Sequence, residues 1–117
     1  MNEMEEIKKV IQHYIDGAKT GSGDAMKLAF HDDACVYGYI GEDLFAAPAQ
    51  ALFDWNDENG AATELEARFA SIDIEGTVAT VRLELDNWTG HRFTDLFSLL
   101  KLDGKWKIMN KVFHTHS

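Results

Sequence analysis

The chain has one cysteine, one proline and only 11 basic residues against 20 acidic ones in its 117 positions. Each scarcity excludes something. A lone thiol, Cys35, closes no intramolecular disulfide, so nothing here requires an oxidising compartment, and its place in an apolar run reads as a small core residue. The net charge of −9 sets up a field that repels phosphate backbones and anionic lipid, which argues against nucleic acid as a partner. No stretch reaches about 18 consecutive apolar residues, and the start MNEMEEIKK has no apolar run behind a basic cluster. The expectation is a cytoplasmic protein with no membrane partner.

What is present is material for a core. Hydrophobic residues make up 45% of the chain and aromatics 11%, a globular composition far from disorder. The length suits one domain over residues 1–117 and leaves no room for a second.

The stretch from His91 to His116, HRFTDLFSLLKLDGKWKIMNKVFHTH, reads as one long β-hairpin. Asp103-Gly104 is its turn, because a type I′ turn needs positive φ at both central positions and Asp-Gly supplies it cheaply. Counting outward from a two-residue turn pairs Leu102 with Lys105, Leu99 with Ile108, Phe97 with Asn110, Asp95 with Val112, Phe93 with His114 and His91 with His116. Cross-strand partners share a face. One face would then be an apolar wall of Phe93, Phe97, Leu99, Trp106, Ile108 and Val112, carrying Asp95, Asn110, His91, His114 and His116 as its polar groups. An apolar wall with a few polar groups is what a ligand pocket needs.

Upstream, Ile7, Val10, Ile11, Tyr14, Ile15 and Ala18 follow helical spacing behind an Asn2/Glu5 capping pair. Gly21-Ser22-Gly23 breaks that helix, and Ser22 or Asp24 caps a second one running through Phe30, with His31 at its end and Asp32 and Asp33 at the junction. A strand over 34–40 turns at Gly41 into a brief Leu44-Phe45 segment, and Pro48 opens a third helix to about Asn56. After Gly60 the period becomes that of strands: Leu65, Ala67 and Phe69, then Ala79, Val81, Leu83 and Leu85. The alternation breaks at Ile72-Asp73-Ile74, which leaves the face of that strand end open. A three-residue loop, Trp88-Thr89-Gly90, leads into the long hairpin, places Leu83 opposite Asp95 and Leu85 opposite Phe93, and leaves Trp88 at a tip where it is hard to bury. Helices followed by hairpin-linked strands make an α+β domain, and a strongly twisted sheet around the helices makes a cone with an open mouth.

These pieces resemble the nuclear transport factor 2-like superfamily, which includes ketosteroid isomerases, polyketide cyclases and scytalone dehydratases. The residues that carry the resemblance are VIQHYIDGAKTGSGDAMKLAFHDDACVYGY, APAQALFDW, IEGTVATVRL and TDLFSLLKLDGKWKIMNKVFH. The chain is most similar to an uncharacterised bacterial group labelled lumazine-binding. The resemblance implies three N-terminal helices on a strongly curved, mainly antiparallel sheet. It also matches the oxyanion-hole tyrosine and aspartic acid of the ketosteroid isomerases to Tyr14 and Asp95. Their general base falls on Gly38, which can take no proton, so steroid isomerisation by that route is not expected.

The candidate site is thus Asp95, Tyr14 and His114 as acid–base groups, with Phe30, Tyr37, Phe53, Trp55, Leu83, Phe93, Phe97, Asn110, Val112, His91 and His116 around the ligand. A carboxylate among Phe93, Phe97 and Leu99 is costly to bury alone and needs a partner, for which Tyr14 and Asn110 are the choices. His91, His114 and His116 invite a metal-dependent enzyme as one reading, but no fourth ligand is fixed by a motif, and neither metal nor cofactor is expected. The favoured reading is a small-molecule-binding domain with an enclosed, largely apolar pocket, suited to a non-redox isomerase, cyclase or dehydratase. The competing one is a non-catalytic module for ligand or protein binding. Either way, Leu96, Leu100 and Phe113 on the outer sheet face predict a homodimer.

Overall fold

In a computed structural model, which describes residues 2–116, the chain folds into three helices and six strands. Helix α1 (Glu3–Thr20) is capped by Asn2, whose side chain accepts from the Glu5 backbone N–H at 2.8 Å, and ends at Gly21 in the left-handed conformation. Its buried stripe is Ile7, Ile11, Tyr14, Ile15 and Ala18, the i, i+4, i+7 pattern of a helix lying on a core. Helix α2 (Gly23–Lys27) is capped by Ser22. It stops earlier than its sequence suggests: Phe30 and His31 already belong to strand β1 (Phe30–Ile40), as do the exposed Asp32 and Asp33. Strand β2 (Asp43–Pro48) returns along β1, and Pro48 caps helix α3 (Ala49–Asn59).

Strands β3 (Glu66–Glu75), β4 (Val78–Trp88), β5 (His91–Leu102) and β6 (Lys105–His116) complete one sheet in the order β2-β1-β6-β5-β4-β3. All neighbours are antiparallel except β1 and β6. The sheet curls around α1 and α3, so its concave face and the helices share one core.

Three of the sheet's register shifts, in β3, β4 and β6, decide which side chains enter that core. In β3 the register shifts between Phe69 and Ser71. The extra residue restores Ile72 and Ile74 to the half-buried side occupied by Ala67 and Phe69. In β4 the register shifts between Leu85 and Trp88, with Asn87 at φ 60°. This rotation turns Trp88 inward, where it is only 2% exposed, and leaves a two-residue Thr89-Gly90 turn with both φ values positive, the type I′ form. The expectation of an exposed Trp88 at the tip of a three-residue loop is corrected accordingly.

The third bulge matters most. Leu99 pairs with Ile108, as counting from the Asp103-Gly104 turn predicts, but Ser98 pairs with Asn110, so Met109 is an extra residue. A bulge sets two residues of one strand against one of its partner. Beyond it the parity of β6 reverses: Phe97 lies opposite Lys111, Asp95 opposite Phe113, Phe93 opposite Thr115 and Thr94 opposite His114. Lys111 and Phe113 therefore enter the concave side, while Asn110, Val112, His114 and His116 leave it.

Candidate functional site

Asp95 and Tyr14 meet as their sequence positions suggest. Leu83 and Phe93 flank Asp95 on the concave face, because β4 and β5 pair Leu83 with Asp95 and Leu85 with Phe93. Asp95 is 1% exposed, and its Oδ2 accepts a hydrogen bond of 2.5 Å from the Tyr14 hydroxyl, delivered by the buried face of α1. The bulge adds the third member: Lys111 Nζ donates to the Tyr14 oxygen at 3.0 Å, and this lysine is 4% exposed. The three form a chain, amine to phenol to carboxyl, sealed from water on the carboxyl side.

Aromatic rings enclose this chain. Lys111 Nζ lies 5.1 Å from the Tyr14 ring centroid, 5.7 Å from that of Trp88 and 5.0 Å from that of Phe113, within reach of the ring quadrupoles that favour a cation. Tyr14 is held edge-on by Phe30, Trp88 and Phe97.

Burial sets the electrostatics. Desolvation pushes the Asp95 carboxyl above the usual carboxylate range, against the opposing pull of Lys111 and the Tyr14 hydroxyl. Desolvation pulls Lys111 below the usual amine range, opposed by Asp95. The Tyr14 phenol is driven well up, by burial first and then by the charge of Asp95. The two outer groups thus move toward each other, which is what a low-dielectric site does to an acid and a base. The chain carries no net charge either as carboxylate and ammonium or as carboxylic acid and free amine. Among the described residues, Asp95 Oδ1 and Trp88 Nε1 are buried with no hydrogen-bond partner.

A cavity opens from this chain. It is lined by Val36, Leu52, Trp55, Trp88, Phe93 and Lys111, with Ile40, Phe45 and Phe113 at its other walls, and holds about 30 Å³. Lys111 alone among the lining residues carries an ionisable side chain. Tyr14 and Asp95 do not line it; they stand behind the amine.

The predicted ligand residues divide. Trp55 and Phe93 line the cavity. Phe30, Phe53, Leu83 and Phe97 are core residues packed behind it. Tyr37 is 43% exposed, because strand alternation turns Ala34, Val36 and Gly38 inward and Cys35, Tyr37 and Tyr39 outward. Cys35 is accordingly half-buried rather than a core residue. Asn110, Val112, His114 and His116 lie on the outer face, with Val112 47% exposed, so Asn110 is not the partner of Asp95 and His114 is not in the pocket. His114 and His116 have ring centroids 4.7 Å apart, whereas His91 sits beside Phe93 at the exposed start of β5. The three histidines do not converge, and the described residues hold no cluster of three groups suited to a metal ion.

Gly38 has a structural reason. A Cβ there would lie 2.5 Å from the Phe113 carbonyl oxygen and 2.6 Å from its ring, so any side chain would have to push β1 and Phe113 apart, a carboxylate more than a methyl.

The curled sheet with its helices defines an α+β domain of the nuclear transport factor 2-like class. The chain is 48% identical to a nuclear transport factor 2-like protein of unknown function from Methylobacillus flagellatus, with a TM-score of 0.96 over 98% of this chain and 93% of that one. A ketosteroid isomerase-like protein from Erwinia carotovora shares the fold alone, at 16% identity and a TM-score of 0.72 over 100% and 99% of the two chains. The profile of the family described as "Putative lumazine-binding" matches residues 2–114, and the chain belongs to that family. Aldolase FrzH of a Cladobotryum species is 31% identical over 104 residues, 88% of this chain and 83% of that protein.

Proposed function

We propose that the apolar cavity, about 30 Å³ in this structure, widens to admit a small carbonyl compound, and that the protein catalyses proton transfer at the carbon next to the carbonyl, the opening step of isomerisations, cyclisations and aldol reactions. The observation that carries this reading is the Lys111–Tyr14–Asp95 chain, buried on one side and reaching the cavity on the other. Removing a proton next to a carbonyl develops charge on the carbonyl oxygen, and fixed donors in a dry site stabilise such charge far better than water does. Lys111 is the group positioned to touch the substrate. Tyr14 and Asp95 are positioning residues that supply or accept its proton. The likeness to an aldolase at 31% identity supports carbonyl chemistry over the metal-dependent reading, which the scattered histidines do not favour.

The family description names lumazine, a flat heteroaromatic. Trp55 and Trp88, with ring centroids 5.9 Å apart at the cavity, offer aromatic faces to such a body. This supports a second reading, a binding module without turnover, in which the cavity widens around a flat ligand. The two are separated by following deuterium uptake from D2O into acetone and cyclohexanone by NMR. The enzyme reading predicts catalysed exchange that falls at least tenfold in Tyr14→Phe and Asp95→Asn. Ligand binding with no exchange above buffer would leave the binding module.

We also propose that a second copy of the chain covers the outer sheet face. Tyr37, Val112 and Leu96 form a row across β1, β6 and β5 and are all exposed, an apolar stripe that pairing about a two-fold axis would remove from water. Phe113, expected in that stripe, is turned inward by the Met109 bulge, and Val112 takes its place.

A further inference from the structure

The proton-transfer reading requires a base but does not require a covalent bond. We propose that Lys111 is an imine-forming lysine, and that small aldehydes and ketones entering the cavity become bound to its Nζ as iminium ions. This rests on the same site and goes a step deeper than proton transfer.

Three features of the geometry carry it. First, Lys111 is a cavity wall and the one ionisable side chain among the residues that line it, so an amine shift of one rotamer brings its nitrogen to a carbonyl carbon held there. Second, among the described residues its one hydrogen bond is to Tyr14, and its other neighbours are the rings of Tyr14, Trp88 and Phe113. An ammonium in water has three hydrogen-bond partners; here it has one, and the rings that favour the cation replace only part of what the other two supply. Third, the proton has a place to go. Asp95 lies one hydroxyl away through Tyr14, and a proton moved along that chain leaves carboxylic acid and free amine with no change in total charge.

The reaction balances within this set of groups. The Nζ lone pair attacks the carbonyl carbon, a C–N bond forms, and the carbonyl π pair moves to oxygen, which takes a proton from Tyr14 as Asp95 replaces it. The nitrogen, which now carries two protons, passes one to the hydroxyl; its lone pair closes the C=N bond as the C–O bond breaks, and water leaves while nitrogen keeps the other proton. Carboxylic acid, amine and ketone become carboxylate, iminium and water. The positive nitrogen ends where the ammonium began, among the same rings and with its compensating charge on Asp95. An iminium withdraws electrons from the neighbouring C–H bond more strongly than a neutral carbonyl does, so the adduct would favour the proton transfer proposed above. A lysine with a depressed pKa in an apolar pocket is the setting in which such amines act as nucleophiles at neutral pH.

The test is reductive trapping. The protein is incubated at pH 6.5 with acetone or cyclohexanone and sodium cyanoborohydride, then digested and mapped by mass spectrometry. At that pH exposed lysines are protonated and slow. The expected result is one alkyl group per chain, on Lys111, forming at least tenfold faster than on any other lysine, slowed in Asp95→Asn and absent in Lys111→Met. Circular dichroism of both variants verifies that they fold. Alkylation spread over exposed lysines with Lys111 unmodified overturns the proposal. If deuterium exchange is catalysed while Lys111 stays unmodified, the carbonyl reading stands and the covalent step falls. If neither is seen, both fall.

Discussion

At the scale of the residue, the site depends on a buried amine, Lys111, that the hydrophobic pattern hid. Tyr14 and Asp95 were legible: one sits on the apolar stripe of a helix, the other between phenylalanines on a strand, and a carboxyl in that setting must find a donor. Lys111 was not legible, because counting from the turn gives its place to Asn110 and Val112. The available signal was Ile108-Met109, two apolar residues in succession, followed by an aromatic at Phe113 on the opposite parity. The placement has a consequence for stability against pH. In Lys111→Met, Asp95 loses the cation that lowers its pKa, so its folded pKa lies further above the unfolded value. The folded state then binds more protons than the unfolded state across that window. Stability is fully present below the ordinary carboxylate pKa and is lost as pH rises, with a slope approaching ~1.4 kcal/mol per pH unit. Denaturant unfolding from pH 4 to 8 measures this; a profile parallel to the parent's would show that Lys111 and Asp95 are not coupled. Replacing both groups, as in Asp95→Leu/Lys111→Met, removes the buried charges together and is expected to keep or raise Tm while abolishing exchange.

At the scale of the element, the helices, the hairpin turn and the strand pairs of β4 with β5 follow from local rules, and the bulges do not. A bulge is fixed by how two strands fit the curvature of the whole sheet, so a single strand's sequence carries little sign of it. The bulge at Met109 replaces two histidines and an asparagine on the concave face with Lys111 and Phe113. Deleting Met109 would restore unbroken pairing and drive Asn110, Val112 and His114 inward, with Lys111 outward. The expected outcome is loss of cooperative thermal unfolding; a variant that folds with the parent's Tm would show that the bulge is not needed. The close approach of β1 to β6 gives a finer test. Gly38→Ala sets a methyl against Phe113 and should cost about 1–3 kcal/mol, seen as a fall in Tm, whereas Gly41→Ala, where a Cβ meets nothing within 4 Å, would cost only the strain of its positive φ.

At the scale of the whole molecule, the α+β cone with its apolar interior was legible in the order of elements and in the family resemblance. The polar groups assigned to its mouth were not, since one inserted residue moved three of them, Asn110, His114 and His116, to the outside. That outside carries the row of Tyr37, Val112 and Leu96, and a dimer built on it predicts that Leu96→Glu and Val112→Glu halve the mass seen by light scattering at micromolar concentration. A parent protein that is monomeric throughout would remove the interface. The central claim is that Lys111 stands at the cavity with Asp95 behind it, and lysine-selective NMR titration tests it most directly. One lysine signal, missing in Lys111→Met, is predicted to titrate below all the others and to move lower still in Asp95→Asn, because the carboxylate is what holds its proton on. A Lys111 signal that titrates with the other lysines, or that ignores the loss of Asp95, would contradict the account.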